Sequence, residues 1–339
     1  MNSSPGSGAA VALRLRWRPF RLALPQPLRT SQGWLCQKQG CLLRLESPDH
    51  ARSGWGEAAA LEGDTAALAA AIARCTPESG TTMPRAALEA LLPKLPEVLA
   101  FAIGAALAEL DGMIGPIWLP PPPAALLLPA GEEALGALER HLNAAGANEA
   151  APLCCKWKVA ASPDPLERQV LEQLLERLPA DARLRLDANG GWSRATATAW
   201  AKRLAEEPRL EWLEQPLEPF DLEGHEALAR LLPVALDESL QRRPELRQRW
   251  PGWQVRRPSQ EGDPRPLLAA LAGGAGVPVP PLVFSTAFET GIGQRWLGHL
   301  AALQARQGDA PAPGLAPGWL PGTGLGRRDP EEVWEAAAR

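Results

Sequence analysis

The sequence predicts an α/β fold, a TIM-type (β/α) barrel that carries the chemistry, preceded by an N-terminal α+β capping domain. Three observations predict it. Short apolar runs recur that end in charged residues: Lys156-Trp157-Lys158, Leu186-Asp187, Leu213-Glu214, Leu236-Asp237 and Val255-Arg256-Arg257. The steps between those ends are 29, 27, 23 and 20 residues (158 to 187, 187 to 214, 214 to 237, 237 to 257). Each step holds one helix and two loops, the rhythm of βα units winding a parallel sheet. The N-terminal third, finally, reads as strands and then helices, the order of an α+β unit.

Residues 1–10 (MNSSPGSGAA) read as a disordered tail. From Val11 to Arg18 the strict alternation of apolar residues and arginines predicts a half-exposed strand rather than a targeting peptide. Strand-like runs follow at Gly33–Gln37, at Cys41–Leu45 and on the approach to Gly54-Trp55-Gly56-Glu57. The polar turn Arg29-Thr30-Ser31-Gln32-Gly33 is a candidate lid loop. Helical patterns at Thr65–Arg74 and Arg85–Leu110, the second broken by Pro93 and Pro96, complete a cap over 11–115. A proline-rich connector occupies 116–124. The barrel is expected over 125–325, with Ala125–Leu128 as its first strand and Glu132–Asn143 as the first helix. Helices Asp164–Leu178, Ser193–Ala205 and Leu222–Leu232 separate the charged strand ends, and a C-terminal helical segment spans 326–339.

Composition removes several functions. A formal charge of −4 and a pI near 5.8 give no basic footprint for nucleic acid. No apolar run approaches the ~18 residues of a membrane span. Five cysteines, odd in number and without metal-ligand spacing, suit a reduced cytoplasmic chain, and Cys154-Cys155 reads as buried strand. The four histidines sit in helical or loop contexts and receive no role. Oligomeric state stays open.

Charged residues at the C-terminal ends of successive barrel strands read as an active site. Asp187, Glu214 and Asp237 converging from three strands imply a hard cation with oxygen ligands. Mg²⁺ fits, with Mn²⁺ able to substitute, and the lack of nearby His or Cys argues against zinc. Lys156 and Lys158 share a strand face. A neighbouring ammonium and a nearby divalent cation both disfavour the charged form of Lys158, which makes it the best base. Such a lysine can remove the proton α to the carboxylate of a small-molecule substrate. Arg185 shares the inward face with Asp187. It would balance the carboxylates or reach substrate, with the structural role favoured, and Ser285, Thr286 and the Gly322-Thr323 loop are weaker candidates for substrate contact.

In this order, Lys156-Trp157-Lys158, Asp187-Ala188-Asn189, Glu214-Gln215-Pro216, Asp237-Glu238-Ser239 and Ser285…Glu289 resemble the enolase superfamily, in its muconate-lactonising branch. The wording is closest to that branch's dehydratases of menaquinone and phylloquinone synthesis, which convert 2-succinyl-6-hydroxy-2,4-cyclohexadiene-1-carboxylate to 2-succinylbenzoate. The resemblance implies an enolase-like modified barrel, Mg²⁺ on Asp187, Glu214 and Asp237, and Lys158 as acid and base. Lys156 would be the electrostatic partner of Lys158, with Asn189 and Glu238 supporting the ligands from behind. One position departs. The branch usually has Lys before Pro on the sixth strand, and here Arg257 precedes Pro258. Arginine is never deprotonated, so it cannot be a second base. That argues against an N-acylamino-acid racemase or dipeptide epimerase, which needs a base on each face, and tolerates a one-base dehydratase. A non-catalytic binding protein on the same fold is the alternative of another class.

Overall fold

The computed structural model describes residues 12–30, 33–61, 65–76, 78–144, 152–273, 279–319 and 321–338. The expected tail at 1–10 and the tip of the candidate lid loop, Ser31-Gln32, lie outside them.

Four strands, β1 (Ala12–Thr30), β2 (Gly33–Glu46), β3 (Ser53–Ala58) and β4 (Thr81–Pro84), form an antiparallel sheet ordered β3-β2-β1-β4. Alternation on β1 buries Leu13 and Leu15 and leaves Arg14 exposed, as a sheet covered on one face requires. β1 runs twelve residues past the sequence-predicted Arg18. Pro25 and Pro27 lie in its register shift between Ala23 and Leu28, where a missing N–H costs no ladder bond. Two further differences are the short edge strand β4, which follows the helix Thr65–Cys75, and the helix Gly291–Ala305, which the sequence reading does not anticipate.

The helix Glu97–Leu110 is apolar nearly all round and is correspondingly buried between two layers. Ala102, Ile103 and Ala106 pack with the cap sheet, whereas Phe101, Ala105 and Ala108 pack with Phe284 and Trp296 of the barrel. Gly54 and Gly56 let β3 press onto this helix, because a Cβ at either would stand about 2 Å from the carbonyl oxygen of Ala106 or Ala102.

The second sheet is wholly parallel. Its strands β5 (Leu126–Leu128), β6 (Cys154–Lys158), β7 (Arg183–Asp187), β8 (Leu210–Glu214), β9 (Val234–Leu236), β10 (Trp253–Arg256) and β11 (Leu282–Phe284) lie side by side in chain order. Residues 313–314 close the barrel in place of an eighth strand. The Ala125 amide donates to the Pro313 carbonyl (2.9 Å) and the Gly314 amide to the Phe284 carbonyl (2.8 Å). After the barrel, the helix Pro330–Ala336 returns to the cap, where Val333 and Trp334 pack with Phe20, Leu22, Leu42 and Trp55. No helix among the described residues is long and apolar enough to cross a membrane.

On β6 the outward residues Cys155 and Trp157 are fully buried under the helical layer and alternate with the two lysines that face inward. Trp157→Ala is expected to cost ~3–5 kcal/mol in urea unfolding, as large-to-small changes at full burial do. Trp157→Phe should cost less, since the Trp157 Nε1 has no hydrogen-bond partner among the described residues to lose.

Candidate active site

Parallel register sets the levels of the site. Lys158 pairs with Asp187 and Asp187 with Glu214, so the lysine and the two carboxylates share one level at the C-terminal mouth of the barrel. Lys156 lies a level deeper, beside Arg185. Asp237 directly follows β9, and Arg257 follows β10. In an eight-position barrel β6 and β10 are four places apart, so Lys158 and Arg257 face each other from opposite walls.

The cavity at this mouth is lined by Lys156, Lys158, Asp187, Asn189, Glu238, Arg257, Ser285 and Thr286. Glu214 and Asp237 stand directly behind, each only 1% exposed. Lys156 Nζ bridges Asp187 Oδ2 (2.9 Å) and Glu214 Oε1 (2.5 Å). Burial opposes the charge on Lys156, but Asp187, Glu214 and Asp237 together hold it above the usual lysine range. The ammonium is thus engaged by carboxylates rather than standing only beside Lys158. Lys158 itself has no hydrogen-bond or ion-pair partner among the described residues. Arg257 grips Asp237 with two bonds, Nε to Oδ1 (3.1 Å) and Nη2 to Oδ2 (2.5 Å), and donates through Nη1 to the Thr286 carbonyl.

Burial raises the Glu214 carboxyl to about 7, with Asp187 and Asp237 adding to the effect and Lys156 opposing it. Burial, then Asp237 and Asp187, push Glu238 up to about 8. At Asp187 burial is outweighed by Lys156 and Lys158, and the carboxyl sits below its ordinary value. Asn189, in the left-handed region (φ 44°), donates its amide N–H to Asp187 Oδ1 and its side chain to Glu238 Oε1, both at 3.0 Å. The Gln215 side chain accepts from the amides of Asp237 and Ser239 (3.0 Å each) and so fixes the turn that presents Asp237. Glu167 accepts the amides of Ala160, Ala161 and Ser162 at 2.8–2.9 Å and locks the turn after Lys158.

These groups fit a hard divalent cation chemically. The donor set is oxygen only, it carries excess negative charge, and the buried Glu238 Oε2 has no hydrogen-bond partner among the described residues. Among the described residues no three such side chains gather to ion-binding distance. Their charges are met by Lys156 and Arg257 instead.

Three sequence candidates fall elsewhere. Arg185 is 2% exposed beneath the site, bonded to Glu211 Oε2 (2.6 Å) and the Ala312 carbonyl (2.7 Å), with its guanidinium 4.1 Å over Trp212. It belongs to the barrel floor, in keeping with the structural role the sequence favours, although its partners are Glu211 and the Ala312 carbonyl rather than the carboxylates of the mouth. Thr323 borders a different surface hollow, with Arg21 and Glu335, and neither it nor Gly322 lines the mouth. Conversely, Leu61, Leu127, Gln241 and Phe288 line the cavity without having been singled out. Gln241 had a signal, because it lies one helical turn beyond Asp237 and donates to Asp237 Oδ1 (2.9 Å).

Residues 142–250 match the family model of the enolase C-terminal domain-like proteins. The chain is 33% identical over 297 residues to the o-succinylbenzoate synthase of Thermosynechococcus vestitus, covering 85% of this chain and 88% of that one. It is 35% identical over 183 residues to the N-succinylamino acid racemase of Thermus thermophilus, covering 52% and 46%. Among solved structures it resembles the o-succinylbenzoate synthase of Thermosynechococcus elongatus BP-1, described as complexed with Mg in the active site. That likeness has a TM-score of 0.69 and 29% identity, over 94% of this chain and 93% of that one. The barrel, the charged strand ends at its mouth and a relative matched along nearly the whole chain agree: this chain is an enzyme, a lyase, and belongs to the o-succinylbenzoate synthase family of the enolase superfamily.

Proposed function

We propose that the enzyme eliminates water from 2-succinyl-6-hydroxy-2,4-cyclohexadiene-1-carboxylate to give 2-succinylbenzoate, with Mg²⁺ or Mn²⁺ bound, in the synthesis of menaquinone or phylloquinone. The observation that carries this reading is the asymmetry of the cavity: one lysine without a partner among the described residues on one wall, and a permanent cation on the wall opposite. A divalent ion held by Asp187, Glu214 and Asp237 would supply positive charge for the substrate carboxylate as negative charge develops on it. Lys158, as the neutral amine, takes the proton from C1. The C1–H electron pair moves onto the carboxylate. Protonated Lys158 then delivers that proton to the C6 hydroxyl on the same face, the C6–O bond breaks, water departs and the ring becomes aromatic. Asn189 and Glu238 orient Asp187 and the neighbouring charge. Turnover of the purified enzyme with this diene and Mg²⁺, followed by appearance of the aromatic product, is the test. No conversion, with racemisation of N-succinyl amino acids instead, would overturn the reading.

Arg257 serves here as a fixed charge. A desolvated cation over a ring contributes about 2 kcal/mol, so Arg257→Met should lower the rate on the order of thirtyfold from that interaction alone. The loss should be larger in total, because Asp237 also loses its partner. Arg257→Lys should retain most activity. The wild type should not exchange the α-proton of both enantiomers of an N-succinyl amino acid in deuterated water, and exchange of both would mean that a second base exists.

A further inference from the structure

Under the loop Ser285–Glu289 lies a polar cluster that the reaction steps leave unused. Lys38 on β2 and Glu57 on β3 are both ionisable, the side chains of both are 1% exposed, and burial pushes the Glu57 carboxyl up while Lys38 opposes the rise. They approach only to 3.6 Å (Nζ to Oε1), and Glu57 Oε1 has no hydrogen bond among the described residues. Each reaches out of the cap to the barrel instead. Lys38 Nζ donates to the Ala287 carbonyl at 2.7 Å. Glu57 Oε2 accepts from the Thr290 amide (2.8 Å), the Thr290 hydroxyl (2.6 Å) and the Gly293 amide (3.3 Å). Inside the loop, Glu289 accepts from the Ser259 hydroxyl (2.6 Å), the Thr286 hydroxyl (2.6 Å) and the Ala287 amide (3.0 Å).

The segment held this way is a wall of the cavity. Ser285, Thr286 and Phe288 face it, and the Thr286 carbonyl is the third anchor of the Arg257 guanidinium. Phe288 sits at φ 59°, a region that a bulky residue adopts only where its surroundings enforce it. The energetics of the pair point the same way. Burying a lysine and a carboxyl that make no direct hydrogen bond to each other removes more solvation than their contact returns, and apolar replacements of such pairs are often neutral or stabilising. The pair is therefore a weak contributor to stability, while its bonds fix the middle of one short loop at Ala287 and the start of the helix that follows it at Thr290 and Gly293.

We propose that Lys38 and Glu57 are positioning residues through which the cap holds the Ser285–Phe288 wall, and with it Arg257, in the arrangement that turnover requires. The inference rests on the dehydratase reading for its kinetic arm and on loop order alone for its other arm. The test is the paired replacement Lys38→Met with Glu57→Gln, which removes both ionisable groups together and keeps an acceptor for Thr290. Lys38→Met alone serves as a second variant. We expect an unchanged or higher thermal midpoint and a kcat loss between ~10- and ~100-fold, the scale of a small misplacement. Amide hydrogen exchange across 285–290 should be faster, with the helix Arg194–Leu204 unchanged as the internal control. Combined with Arg257→Met, the paired replacement should cost less than it does alone, because part of its effect passes through the guanidinium. Wild-type kcat with wild-type exchange at 285–290 would overturn the proposal. So would an activity loss that merely tracks loss of folded protein, with no selective loosening of the loop. If the wild type does not turn over the diene, the dehydratase reading fails on its own. The exchange experiment then decides alone: faster exchange at 285–290 supports the positioning role, and unchanged exchange rejects it.

Discussion

Lys158→Ala is expected to leave a folded enzyme that forms no measurable 2-succinylbenzoate. The fold should survive because the Lys158 ammonium makes no hydrogen bond or ion pair with any described residue, and its strand is held by Trp157, fully buried under the helices. Chemistry should not survive. A positioned acid or base contributes ~10²–10⁴-fold to a proton transfer, and here one side chain serves both the removal at C1 and the delivery to the C6 hydroxyl. The combined loss should exceed ~10⁴-fold. Single-turnover assays on protein with a wild-type thermal midpoint make the measurement. Near-normal turnover would mean that the base lies elsewhere, and Lys156 would be a poor replacement, since its ammonium is committed to Asp187 and Glu214.

The same pair shows how far a sequence can be read. Period-2 alternation placed Lys156 and Lys158 on one face, and βα spacing placed Asp187, Glu214, Asp237 and Arg257 at successive strand ends. Those relations are local or periodic, and the parallel register aligns them. Depth is different. Arg185 shares the inward face of Asp187, yet two residues along a strand is nearly 7 Å, enough to move it from the mouth to the floor, where Glu211 and Trp212 receive it. Composition misleads in a similar way at Gly322-Thr323, because a Gly/Thr loop carries no information about which cavity it borders. Leu61 comes from the cap and Phe288 from a loop in an enforced left-handed conformation, and neither position follows from a local pattern. The helix Gly291–Ala305 escaped because two glycines in its first turn argue against a helix. Gly293 stands where a Cβ would be 2.6 Å from Glu289 and 2.9 Å from Glu57 Oε2, a tertiary demand that no propensity records.

Glu214→Gln is expected to lower turnover on the order of ~10³-fold and to weaken Mg²⁺ binding measured directly by calorimetry. Residues that only support a metal ligand typically cost ~10–100-fold in affinity or activity when changed, and loss of a charged ligand should cost more. The substitution is isosteric at a side chain with 1% exposure, and the neutral amide oxygen can still accept from Lys156, which bonds Glu214 Oε1 at 2.5 Å. The barrel should therefore fold as before, while the donor set loses one of its three charges. Chelation of the wild type tests the same assignment without mutation. Turnover should vanish in excess chelator and return with Mg²⁺ or Mn²⁺. The metal-free protein should stay folded, because Lys156 and Arg257 already meet the carboxylate charges in this arrangement. Those two cations also set the condition for binding: a dication entering among Asp187, Glu214 and Asp237 must compete with the Lys156 ammonium for two carboxylates and with the Arg257 guanidinium for the third. Activity that persists unchanged in excess chelator would sink the metal assignment, and the three carboxylates would then serve only to balance Lys156 and Arg257.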